Sequence, residues 1–121
     1  MRIYLVSFFL VALSAFTGNN PIEGRWETKP SEKGNVTGVL FKANFEFEGY
    51  VNKKPFVSGK YSVDGDMLSF TDNGCEGKKG TYQLIFFSNS DSLRFKAILD
   101  ECVDRRNGME KTILGRVVDP R

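Results

Sequence analysis

Apolar and polar side chains alternate with a period of two along most of the chain beyond residue 20. Phe45 and Phe47 are set against Glu46 and Glu48, and Val57, Gly59, Tyr61 and Val63 against Ser58, Lys60 and Ser62. The same pattern aligns Leu68 with Phe70, Tyr82 with Leu84 and Phe86, and Leu93 with Phe95, Ala97 and Leu99. Each run reads as a strand with one wet face and one dry face. The pattern predicts strands near 24–28, 36–41, 44–51, 56–63, 67–71, 81–86, 92–99 and 111–118. Asp64-Gly65-Asp66 supplies the positive φ that a tight hairpin needs. Helical periodicity is confined to a single turn within Val103 to Asn107.

Eight successive strands form a meander, and its connections alternate between long and short. The long ones, 29–35, 52–55, 72–78 and 100–110, then share one end, a loop-rich mouth, and tight turns close the other. Strand one starts and strand eight finishes at the closed end, which sets Trp26 of Gly24-Arg25-Trp26 level with Arg116 of Gly115-Arg116. The two side chains stack only if the first and last strands are neighbours, as in a sheet closed on itself. The expected fold is therefore all-β: an eight-stranded antiparallel up-and-down barrel with no substantial helix, in which Gly24, Trp26 and Arg116 are structural.

Residues 1–18 have the layout of a secretory leader: Arg2, an apolar run from Ile3 to Leu13, then small and polar residues through Gly18. The run is short for a bilayer span, so no stable membrane anchor is expected. Residues 19–121 have the length of one domain. The net charge is +2, and losing Arg2 lowers it to about +1, too little for bulk attraction to nucleic acid. Cys75 and Cys102 are an even pair in an exported chain, which predicts a disulfide. These features together predict a secreted or periplasmic location.

The first-strand Gly24-x-Trp26 and last-strand Arg116 resemble the corresponding motifs of the lipocalins and the wider calycin superfamily. The loop from Phe87 to Ser92 departs from the lipocalin motif at that place. The order Gly59-x-Tyr61, Cys75, Tyr82, Asp100-x-Cys102 and Arg105 is similar to that of compact lipocalin-like domains of secreted, often bacterial, proteins. The resemblance implies a barrel of the same kind and little about chemistry.

The chain has no histidine, which removes the commonest general base and metal ligand, and it has no nucleophile elbow or phosphate loop. Glu46 and Glu48 lie on a wet strand face, and Asp64, Asp66, Asp72 and Glu76 are too sparse for a calcium loop. No enzymatic activity, cofactor or metal is expected. Asp100, Asp104, Arg105 and Arg106 read as an ion-pair cluster bracing the mouth. The inward aromatics Phe45, Phe47, Tyr61, Phe70, Tyr82 and Phe95 are the candidate lining for a small apolar or amphipathic ligand, with the two tyrosine hydroxyls orienting it. The alternative is a barrel packed solid by these side chains, acting through its mouth loops on a protein partner. Asn35-Val36-Thr37 is a glycosylation sequon.

Overall fold

Strand alternation closes on itself in the computed structural model, which describes residues 20–118. The expected leader, 1–18, lies outside the described residues. The strands are β1 (Gly24–Glu27), β2 (Thr37–Phe41), β3 (Glu46–Val51), β4 (Lys54–Asp64), β5 (Met67–Asp72), β6 (Gly80–Phe87), β7 (Ser92–Asp100) and β8 (Ile113–Arg116). All neighbours are antiparallel, and β1 pairs with both β2 and β8, so this is a closed eight-stranded barrel.

Closure is made by the pair expected from the two chain ends. Trp26 lies directly opposite Arg116, whose guanidinium carbon sits 4.3 Å from the centre of the indole. The ring is fully buried, and its N–H donates to the Ile22 carbonyl at 2.9 Å. Arg116 also donates to the Ser90 carbonyl at 3.2 Å, so one side chain joins β8, the β6–β7 turn and the barrel floor. Gly24 opens β1 with φ +120°, a conformation that favours glycine.

The tight turn at Gly65, φ +63°, is where Asp-Gly placed it. Three other local features differ from expectation. The β3–β4 connection is not a long loop. Asn52 and Lys53 both take positive φ, 51° and 70°, as a two-residue type I′ hairpin requires, and β4 begins at Lys54. Asn52 holds this hairpin to the β1–β2 loop, accepting from the Val36 N–H and donating to the Asn35 side chain, each at 2.9 Å.

Phe45 is the second departure. Asn44 turns the chain by accepting the Glu46 N–H at 3.1 Å, Phe45 takes φ +65°, and β3 starts only at Glu46. Strand alternation therefore does not reach Phe45. It is 49% exposed and packs outside the interior, against the Tyr61 ring. The third is a helix, α1 (Val103–Lys111), where periodicity predicts one turn and gives Lys111 to the last strand. Its sequence carries Gly108 and no apolar stripe, so there is no periodic sign of it. It lies along β7, with the Glu110 carboxylate accepting the Ala97 N–H at 3.2 Å and Met109 packed on the core.

Arg116→Ala removes a stacked stem and a cation over the indole, and should lower unfolding stability by about 1 kcal/mol. Chemical denaturation followed by Trp26 fluorescence measures this. The native emission should be that of a dry indole, and an emission maximum typical of water would contradict this mode of closure.

Candidate functional site

Large inward side chains collect at the floor and small ones near the mouth. Trp26, Tyr61, Phe86 and Leu93 occupy the closed half, whereas Gly49, Val57, Gly80 and Ala97 take the inward positions toward the loops. An eight-stranded barrel is just wide enough to be filled by its own side chains, so this taper decides whether space is left. It leaves a cavity of about 620 Å³, reaching the mouth and walled mainly by apolar atoms. That volume falls within the roughly 300–1,000 Å³ of small-molecule sites.

Of the six aromatics expected to line it, Phe47, Phe70 and Phe95 do so. Tyr61 and Tyr82 are buried beside the cavity without lining it, and Phe45 lies outside. Tyr61 belongs to the floor, where its hydroxyl donates to the Lys42 carbonyl at 2.7 Å and accepts from Asn20 at 2.8 Å. The Tyr82 hydroxyl donates to Asp100. Neither hydroxyl is directed at the cavity, which corrects their expected role in orienting a ligand. The rings still build the wall: Phe47 meets Phe70 edge-on at 5.6 Å, and Phe70 stacks on Tyr82 at 5.8 Å.

Phe41, Leu68 and Leu114 are also on the lining, together with Val39 and Val57, Met109 from α1 and Phe56 from the rim. Alternation already sets Leu68 inward beside Phe70, whereas Phe41 is legible only as a strand residue. Met109 is hidden in a helix without a pattern.

A β-bulge organises the mouth. The β6–β7 register shifts between Thr81 and Tyr82, so that Thr81 faces Leu99 while Tyr82 faces Ala97. One extra residue reverses which side chains point inward from there on. Leu99, expected inside, is 66% exposed, and Asp100 turns in and is 3% exposed. A buried carboxylate must be paired, and Asp100 is paired completely. Its two oxygens receive the Arg105 Nε–H and Nη–H, each at 2.8 Å, together with the Tyr82 hydroxyl and the Cys102 N–H. Arg105 reaches Asp72 at 3.2 Å and the Lys78 carbonyl at 2.9 Å, and lies 4.9 Å over the Phe70 ring. Gly80 gives this cluster its room, since a Cβ there would stand 2.9 Å from an Asp100 oxygen.

The expected bracing cluster is thus real in its Asp100–Arg105 half. Asp72 joins it, Arg106 adds one contact to the Asp100 carbonyl at 3.4 Å, and Asp104 stays exposed at the rim. Cys75 and Cys102 are bonded, with Cα atoms 5.8 Å apart, tying the β5–β6 loop to the start of α1.

Burial acts on the Asp100 carboxyl in favour of its neutral form. Hydrogen bonds from Arg105, Tyr82 and Cys102 outweigh it and hold the group below the usual carboxylate range. Burial, aided by the Asp100 hydrogen bond, pushes the Tyr82 hydroxyl far above its ordinary value. The Asp100 hydrogen bond raises Arg105 further. Tyr82 and Asp100 do not line the cavity, so this acid and hydroxyl are placed to hold structure rather than to meet a ligand. No family model, curated protein or solved structure matches the chain.

Asp100→Asn should cost about 3 kcal/mol at neutral pH, because it leaves the buried Arg105 charge without its closest partner. The folded pKa of Asp100 lies below its unfolded value. Its contribution is therefore complete above pH about 4 and is lost as pH falls through the folded value. Urea midpoints measured across acid pH should fall for wild type, and Asp100→Asn should lack that share of the loss.

Proposed function

We propose that this chain is an exported, lipocalin-like barrel that holds one small apolar or amphipathic molecule in its interior. The observation that carries this reading is the cavity of about 620 Å³, lined by Phe41, Phe47, Phe70 and Phe95 and reaching the loop-bearing end. A barrel packed solid would leave no such space. The order of Gly24-x-Trp26 and Arg116 supports kinship with lipocalin-like domains, and the closed eight-stranded barrel is compatible with it.

Export is supported by the leader-like residues 1–18 and by the Cys75–Cys102 bond, which suits an oxidising, extracellular or periplasmic setting. Among the described residues no helix is long and apolar enough to cross a membrane. The role is carriage or capture rather than catalysis. That reading draws on the absence of histidine from the sequence and on the burial of Tyr82 and Asp100 away from the cavity. A second reading, as a module binding protein partners at the mouth, draws on Ile98, Leu99 and Val103, which are exposed on β7 and α1.

A neutral apolar fluorophore such as N-phenyl-1-naphthylamine should bind the mature protein with one-to-one stoichiometry and micromolar affinity. Phe95→Trp, which enlarges a side chain on the cavity wall, should weaken uptake by roughly tenfold. Glu46→Ala, on the outer face, should leave it unchanged. Fluorescence titration of the three proteins reads the result. Absence of uptake by the folded wild type would sink the binding role.

A further inference from the structure

The entrance to the cavity is charged, and its sign depends on how one arginine is used. The charged residues that line the cavity are Asp72, Asp104 and Arg105. Arg105 is engaged along its whole fork, with Nε–H and one Nη on the two Asp100 oxygens, the other Nη on Asp72, and a further bond to the Lys78 carbonyl. Recognition of an incoming carboxylate by arginine takes two parallel N–H groups, and here Asp100 already occupies them. Asp72 and Asp100 together more than cancel the guanidinium charge. Asp104, exposed in the first turn of α1, adds a further negative charge at the rim.

We propose that the cavity takes an apolar molecule with a cationic head, a quaternary or protonated amine, in preference to a fatty-acid-like anion. This preference rests on the proposed binding role and names the ligand class within it. The apolar chain enters among Phe41, Phe47, Phe70 and Phe95, and the head stays at the level of Asp72 and Asp104. Phe56, 61% exposed and also on the lining, offers a ring face to that head. The positive end of the α1 dipole does not reverse the sign, because Asp104 lies in its first turn and Asp100 accepts the Cys102 N–H. Lys53 and Lys54 of the β3–β4 hairpin are exposed and, unlike Asp104, do not line the cavity.

The test is displacement of N-phenyl-1-naphthylamine from the folded mature protein by dodecyltrimethylammonium and dodecanoate, each below its micellar concentration. Dodecyltrimethylammonium should displace the fluorophore at roughly tenfold lower concentration than dodecanoate, and added salt should narrow the gap. Asp104→Asn, with Asp104→Ser as a second neutral variant, should shrink the cation-to-anion ratio several-fold. Lys54→Gln should not shrink it. If the fluorophore binds and dodecanoate competes as well as the cation, the charge preference is overturned while the binding role stands. A ratio unmoved by both Asp104 variants also overturns it. If the fluorophore does not bind at all, the binding role falls and the ligand class falls with it.

Discussion

A carboxylate with almost no exposure to water, Asp100, governs the loop-bearing end of this barrel. Its position is set by one extra residue in β7, which reverses the inward set beyond Ala97 and exchanges Leu99 for an acid. Once inside, the acid dictates its surroundings. Arg105 has to lie within reach, so α1 has to start beside β7, and Gly80 has to lack a side chain. Such a pair adds little net stability compared with an apolar filling, yet it is costly to break. In the arrangement of loops around the opening, every oxygen of this acid has its partner.

The two ends of the barrel use arginine differently. At the floor Arg116 lies over an indole, where packing and a cation–π contact suffice and no carboxylate is needed. At the mouth Arg105 lies over Phe70 and is neutralised from two sides. Floor and mouth thus each carry an arginine on an aromatic surface, closing the floor and bordering the opening, and the space between them is left to apolar walls. The taper from Trp26 and Phe86 below to Gly49 and Val57 above leaves a cavity where eight strands alone would permit a solid core.

The strands and their closure were legible because alternation, the Asp-Gly turn and the placement of Trp26 against Arg116 are local or nearly local signals. What was not legible depends on tertiary context. The β3–β4 turn is built from Asn52 and Lys53, where the usual second residue is glycine, and its conformation is held by Asn35 and Val36 from another loop. The bulge at Thr81 leaves no mark in the run from Leu93 to Leu99, so continuing the alternation sends Leu99 inward and leaves Asp100 as a loop residue. The helix Val103–Lys111 has no apolar face to announce it, and it is held by the disulfide at Cys102 just before it and by bonds from its own Arg105 and Glu110 to Asp100 and Ala97 of β7. The tyrosines are interior residues, as alternation predicts. Their hydroxyls find protein partners, Lys42 for one and Asp100 for the other, because a buried hydroxyl without a partner is costly.

The Cys75–Cys102 bond and the Arg105 clamp act on the same two elements, and their actions differ in kind. The disulfide closes a separation of 27 residues, which in the chain-entropy model lowers the freedom of the unfolded chain by an amount worth roughly 3.5 kcal/mol. It tethers the β5–β6 loop to α1 but leaves both free to rotate about the tether. Arg105 fixes orientation, since its bonds run to β5 through Asp72, to β7 through Asp100 and to the loop through Lys78. Together they make the opening a preformed feature of the fold. Under the proposed binding role, a molecule entering such an opening would not have to order the loops around it, and an ordering cost avoided on binding counts toward affinity.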